Sequence, residues 1–514
     1  MKSNQKQLKA GVILSYISTG VNMIIQLIYT PVMIKLLGQS DYGLYTLVGS
    51  VVSYLSLFNL GFTGAYLRFY SRYNENNDVE GVARLNGMFI TVFTCMSITA
   101  FICGMILAHY SNVVFGTKLT MDELKRAKTL LQILVVNVAL TFPNSFFSSI
   151  TSAHEKFVFQ RILQLLGVLF NPLICLPFLL MGYGSVAVVV VTTFITISKL
   201  VVNIGFCLKK LHVPFLFREF DVSLLFEIAS FSFFLFLNMI IDQINWSVDK
   251  FILGRVSGTT AVAVYGVGSH INSLYTMFST SISSVFAPKV NRIAAKNKKD
   301  MREEFSKLFI KVGRIQFLFL ALVASGIIIF GKYFITNIYA SSEYIEAYPV
   351  SLLLILPVTI PLIQNLGIEI QRSINKHQFR SITYFFMALI NIAISIPLAT
   401  EYGPTGAAMG TLISLFVANG VIINLFYLKV IRLDICGFWK NILNITRGFI
   451  IPALLGFFIM KYISFNGIKH FFLWVIIYSA VYSVSIWLFS MNNYEKDLIR
   501  VPARKIIERI SKKV

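Results

Sequence analysis

Ionisable side chains are scarce in this sequence, and several fall inside long apolar runs, where such a group is costly unless it is paired or used. Lys311 and Arg314 are three residues apart in a run near 306 to 330, so they share one helical face, with Arg314 the deeper. Two cations on one face suit an anionic group, although both could also reach the interface along their aliphatic stems. Lys199 lies about nine residues, or roughly 13 Å of helix, from the nearer end of its run, a candidate for the same anionic group or a side chain that snorkels to the interface. His270 falls near the middle of another run, either hydrogen-bonded between helices or titrating in a working cycle. Asp242 and Asp249 are candidates for a proton or cation site, with Asp249 and Lys250 alternatively a solvated pair at a loop. Asn22 and Gln26, four apart, offer a hydrogen-bonding face toward a cavity or an interhelical contact.

The five cysteines (Cys95, Cys103, Cys175, Cys207 and Cys436) form no C-x-x-C pair and have no metal-like spacing with the six histidines. Neither disulfide, metal nor cofactor is expected. No paired-carboxylate motif, nucleophile elbow or phosphate loop stands out, and the longest polar connections are only about twenty residues. An enzyme is therefore not expected.

The elements that must hold these residues are membrane helices. The chain of 514 residues is 56% hydrophobic and 13% charged, against about 25% charged in soluble domains, and its mean hydropathy is +0.72. Apolar runs of about 20 residues, enough to cross hydrocarbon, recur along almost the whole length. The first follows Lys2, Lys6 and Lys9 and continues to about Leu37 without a cleavage site, so it reads as a span rather than a signal peptide. The fold class expected is an all-α integral membrane protein of about fourteen transmembrane helices. Pro357 and Pro361, four apart in the tenth, should bend it.

The net charge of +22 sits in the loops, which argues for the positive-inside rule rather than for nucleic acid. Basic clusters such as Lys289 to Lys307 place both termini in the cytoplasm, with an external exception around Lys125. The tail from Tyr494 to Val514 sets Ile499, Ile506, Ile507 and Ile510 among seven Lys and Arg, a pattern for a helix on the anionic inner surface.

An offset of 220 residues carries Lys156, Phe159 and Ile162 onto Lys376, Phe379 and Ile382, and Asn171, Ile174 and Pro177 onto Asn391, Ile394 and Pro397. It also carries Gly38 and Tyr45 onto Gly258 and Tyr265, and Phe89 onto Phe309. The expected organisation is therefore a six-helix half over 1–215, a second over 216–432, two further helices over 433–491 and a basic tail over 492–514. Six spans per half make the halves parallel, related by an axis along the membrane normal around a central cavity, with alternating access by rocking.

Thr30, Pro31 through Leu37, Gly38, then Tyr42, Gly43, Leu44, Tyr45 resembles the N-terminal signature of the polysaccharide flippase family, which includes O-antigen transporters. Asp249 to Gly254 and Tyr402 to Ala408 resemble later blocks of that family, in family order. The family shares a superfamily with multidrug exporters and the lipid II flippase. The resemblance implies flipping of an undecaprenyl-pyrophosphate-linked oligosaccharide, an O-antigen or capsule or exopolysaccharide repeat unit, from the cytoplasmic to the periplasmic leaflet of a bacterial inner membrane. It also implies lipid partners, H+ and Na+ as candidate coupling ions, and association with polysaccharide assembly proteins; the duplicated halves, which can complete a pathway within one chain, lead to the expectation of a functional monomer. A multidrug exporter of the same superfamily is the alternative.

Overall fold

The computed structural model describes residues 2–217, 222–283, 286–295, 298–376 and 378–501. Among them there is no β-strand. The helices are α1 (Lys2–Leu55), α2 (Phe62–Glu75), α3 (Val79–His109), α4 (Ser111–Phe115), α5 (Met121–Ala153), α6 (Phe157–Leu180), α7 (Gly184–Lys209), α8 (Val222–Val256), α9 (Thr259–Ser283) and α10 (Ala287–Ala294). They continue as α11 (Lys298–Tyr333), α12 (Ala347–Ile363), α13 (Leu366–Ser373), α14 (Gln378–Leu415), α15 (Ile423–Phe426), α16 (Ile435–Ile445), α17 (Ile450–Tyr462) and α18 (Ile468–Phe489).

Among the described residues nine helical stretches are long and apolar enough to cross a membrane, and ten if α12 and α13, bent by 45°, form one span. That bend follows Pro357 and Pro361, as their ladder-breaking chemistry requires. The count of stretches understates the number of separate helical arms, because two of the stretches are broken internally. Gly38 (φ 72°, ψ 175°) splits α1 into two arms in a backbone region essentially reserved for glycine. A similar break at Gly403 divides α14. The surface is that of a protein in lipid: on α3, Ile98, Phe101 and Ile102 are exposed while Phe89, Phe93 and Ala100 are buried. Apolar groups cover both sides of the helix, and its backbone bonds are satisfied internally.

The chain resolves into two compact units, residues 1–266 with 392–407, and residues 267–391 with 408–514. The first is centred on an aromatic cluster in which Tyr66 meets Phe89 and Phe146 edge-on. Tyr66 is fully buried, and its hydroxyl donates to Asn86 Oδ1 at 2.7 Å while Asn86 Nδ2 donates to the Pro214 carbonyl at 3.0 Å. One end of this unit is stapled by carboxylates. Glu123 closes a capping box with Thr120 at the start of α5 and accepts the hydroxyls of Ser40 and Thr259, both at 2.7 Å. Asp41 accepts from Arg126 at 3.2 Å and from the Ser185 amide at 2.8 Å. The Gly38 break thus delivers Ser40 and Asp41 to α5, α7 and α9.

In the second unit Phe330, Ile459, Phe471 and Tyr478 join α11, α17 and α18. The Tyr482 hydroxyl donates to the Leu318 carbonyl at 2.8 Å, fixing α18 on α11. Each unit contains one tight face-to-face aromatic pair, Phe159 with Phe206 (3.8 Å, 10°) and Phe379 with Phe426 (4.2 Å, 7°). The offset of 220 relates both members of one pair to both members of the other.

Candidate functional site

Three helices of the first unit, α5, α6 and α7, meet along a polar seam. Asn137 Nδ2 on α5 donates to Thr196 Oγ1 at 3.0 Å and to Thr193 Oγ1 at 3.4 Å on α7. Two turns further along both helices, Asn203 Nδ2 donates to Asn144 Oδ1 at 2.8 Å. On the α6 side, Asn171 Nδ2 donates to Thr192 Oγ1 at 3.3 Å. The α7 residues follow helical spacing, 192, 196, 199 and 203, so they line one face, and Lys199 is the charged member.

Lys199 lies ten residues from the end of α7 at Lys209, or about 15 Å of helix. It is half-buried and folds across Gly167 of α6, where a Cβ would overlap its Cε and Nζ. A side chain at this position would oblige the ammonium to shift. Ile195, one turn toward the helix N-terminus, shares that contact, so the side chain leans away from the nearer helix end. Among the described residues no hydrogen bond or ion pair engages the ammonium, and buried Asn203 Oδ1, one turn away, has no partner either. A cation and an acceptor are thus held in the bundle with hydrogen-bonding capacity unfilled.

The other residues singled out from sequence fall elsewhere. Asn22 and Gln26 bond to each other, Nε2 to Oδ1 at 3.3 Å. Asp242 is exposed on α8, beside Gln243, which donates to Ser53. Asp249 is not part of a solvated surface pair: it is 2% exposed, and Oδ2 accepts the Tyr265 hydroxyl at 2.6 Å. In the second unit His270 Nδ1 lies 2.5 Å from the Tyr339 hydroxyl, where a π-helical turn (334–339) follows α11. Sequence offered Lys311 and Arg314 as partners for a pyrophosphate, but Arg314 is 6% exposed and its guanidinium meets Glu495 at 2.6 Å. Lys311 Nζ sits 3.1 Å from the centre of the Tyr494 ring. Both cations are already answered within the protein, and the candidate site does not gather them with Lys199. The described start of the tail buries Glu495 while Tyr494 and Ile499 stay exposed, and Arg504, Lys505, Ile506, Ile507, Arg509, Ile510, Lys512 and Lys513 lie outside the described residues.

A separate open groove in the second unit, about 270 Å³, runs along α17 and α18 and is lined by Ile451, Ala480, Val481, Val484, Leu488 and Phe489. Its walls suit hydrocarbon.

Comparison with known proteins gives a consistent set of relatives. The profile of a polysaccharide biosynthesis protein family matches residues 8–294. A second profile, MatE, matches residues 235–397. A provisionally named O-antigen transporter of Shigella flexneri is 20% identical over 79% of this chain and 93% of its own length. An uncharacterized membrane protein of Methanocaldococcus jannaschii is 23% identical over 97% of both. Among solved structures, the lipid II flippase MurJ in an inward closed conformation aligns over 95% of this chain and 99% of its own, with TM-score 0.70 and 17% identity. An inward-facing MATE family multidrug transporter aligns over 82% of this chain and 99% of its own, with TM-score 0.59 and 16% identity. These likenesses establish the fold of this chain as that of the flippase and exporter structures.

Proposed function

Because the chain belongs to the polysaccharide biosynthesis protein family, we propose that it is a transporter, not an enzyme, that moves a lipid-linked oligosaccharide from the cytoplasmic to the outer leaflet. The single observation that carries this reading is Lys199, a cation within a membrane helix, flanked by Asn and Thr side chains, whose charge nothing among the described residues neutralises. A glycan head needs hydrogen-bonding groups along its route, because unsatisfied polar groups cost several kcal/mol in hydrocarbon. A phosphate or pyrophosphate link to the lipid needs a positive charge. The seam offers both. The apolar groove along α17 and α18 suits the lipid chain of such a substrate.

The same reading places the chain in a bacterial inner membrane with both termini cytoplasmic, as the Lys and Arg bias favours. Two parallel six-helix halves alternate access, and His270, Asp242 and Asp249 are the residues to vary when asking whether H+ or Na+ drives the cycle.

The test is complementation of a strain lacking its own O-antigen flippase, scoring surface polysaccharide at matched membrane expression. Rescue by the wild-type chain and loss with Lys199→Ala supports the reading; rescue by both removes Lys199 from it. The match of residues 235–397 to MatE favours a second reading, export of multiple drugs. Drug resistance conferred without glycan display would establish that reading instead.

A further inference from the structure

The two cations of α11 are held by the segment that follows α18. Arg314 Nε and one terminal nitrogen grip both carboxylate oxygens of Glu495, at 2.6 and 3.0 Å. The terminal nitrogens also donate to the carbonyls of Asn441 on α16, at 3.1 Å, and Ser490 at the end of α18, at 2.9 Å. Four of the five N–H groups are thereby engaged. Lys311, one turn earlier, lies over the ring of Tyr494, the neighbour of Glu495. Glu495 is itself pre-positioned: its carboxylate accepts the Asn492 amide at 2.9 Å, and its amide donates back to Asn492 Oδ1 at 2.9 Å. One carboxylate therefore starts the tail helix and neutralises a span residue.

The repeat supplies an internal control. At the offset of 220, Lys311 and Arg314 correspond to Thr91 and Thr94 on α3. Both hydroxyls bond to their own helix, Thr91 to the Gly87 carbonyl at 2.8 Å and Thr94 to the Ile90 carbonyl at 2.7 Å. The copy with no C-terminal extension of its own carries neutral hydroxyls; the copy followed by α16 to α18 carries the two cations. The charges go with the extension, not with a feature common to both halves.

We infer that Lys311 and Arg314 with Tyr494 and Glu495 form a latch that stays closed through the working cycle, making α11, α16, α18 and the first turn of the tail move as one body. Arg314 is then a positioning residue and does not touch substrate. Opening the latch would leave a guanidinium and a carboxylate unpaired where both are less than a tenth exposed, which is why a closed state is expected throughout.

The experiment uses the full-length chain with its five native cysteines replaced, carrying Lys311→Cys and Tyr494→Cys joined by a bis-maleimide linker of lysine-to-ring length. Cross-linked protein is expected to transport within twofold of the same protein left unlinked; a fall of tenfold or more shows that the latch must open and overturns the inference. A second arm separates positioning from substrate contact. Arg314→Ala and Glu495→Ala are each expected to lower the melting temperature in detergent and reduce transport to a similar extent. The apolar pair Arg314→Met with Glu495→Met is expected to recover most of both losses. An unimpaired Glu495→Ala beside an inactive Arg314→Ala, or a double variant with restored melting temperature but no transport, assigns Arg314 to the substrate and refutes the latch. The melting arm needs no knowledge of the substrate: additive single losses, with no recovery in the double variant, overturn the latch even if the flippase reading fails.

Discussion

Replacing Lys199 by Ala removes one positive charge from the α5–α6–α7 seam and leaves the flanking Asn137–Thr196 and Asn144–Asn203 bonds in place. An ammonium about 4 Å from a phosphate oxygen, at an effective dielectric near 20, contributes about 4 kcal/mol before desolvation. The net value of a hydrogen bond to a charged group is about 1.5–3 kcal/mol, which converts to a fall of about 10- to 150-fold in transport. The assay is uptake of radiolabelled lipid-linked glycan into proteoliposomes at equal protein density, alongside surface polysaccharide in the complemented strain. Gly167→Ala is the companion perturbation. It keeps the charge but places a methyl group where Cε and Nζ lie, so it is expected to give a smaller loss than Lys199→Ala. Transport by Lys199→Ala within twofold of wild type would refute the argument, because a cation that serves the substrate cannot be dispensable.

Four further outcomes are expected. Gly38→Ala forces a side chain onto a backbone of φ 72°, ψ 175° and should cost about 1–3 kcal/mol, seen as a lower melting temperature in detergent. Glu123→Ala strands the hydroxyls of Ser40 and Thr259 and breaks the α5 capping box, for an expected loss of about 2–3 kcal/mol. Arg126→Ala, which removes a half-exposed partner of Asp41, should change stability by about 0.5 kcal/mol or less in the same measurement. Asn144→Leu combined with Asn203→Leu removes both members of one seam bond. It should be nearly neutral for melting temperature yet reduce glycan transport, whereas equal effects on both would make the seam merely structural.

Much of this architecture was legible because a bilayer imposes its own grammar on sequence. Long apolar runs, few internal charges and Pro357 with Pro361 were enough to anticipate the helices and the bend between α12 and α13. The stacked pairs Phe159–Phe206 and Phe379–Phe426 were half visible: Phe159 and Phe379 stood out at the offset of 220, but their ring partners did not. The seam left a trace that sequence reading missed. Asn137 and Asn144 are seven apart, as are Thr196 and Asn203, and each bonded pair is separated by 59 residues, the pattern of two parallel-packed neighbours touching every second turn. The partner of Arg314 left none. Glu495 is 181 residues away in a tail whose many cations suggested only a lipid surface, and no periodicity links the two.

The two intramembrane cations that looked alike in sequence therefore differ in kind, and the difference is one of saturation and direction. Arg314 has a carboxylate, two carbonyls and a fixed geometry; a substrate anion would have to displace Glu495 to reach it, and burial makes that exchange costly. Lys199 has no such competitor. Snorkelling offers it no escape, since its side chain of roughly 6 Å falls short of the helix end about 15 Å away. Helical geometry also aims it toward Ile195, the opposite way. An ammonium so placed keeps its charge only if water or an anion comes to it. Packing alone would have been better served by an apolar residue over Gly167, and it is this contrast with Arg314 that makes Lys199 the residue on which the proposed passage of an anionic head is tested.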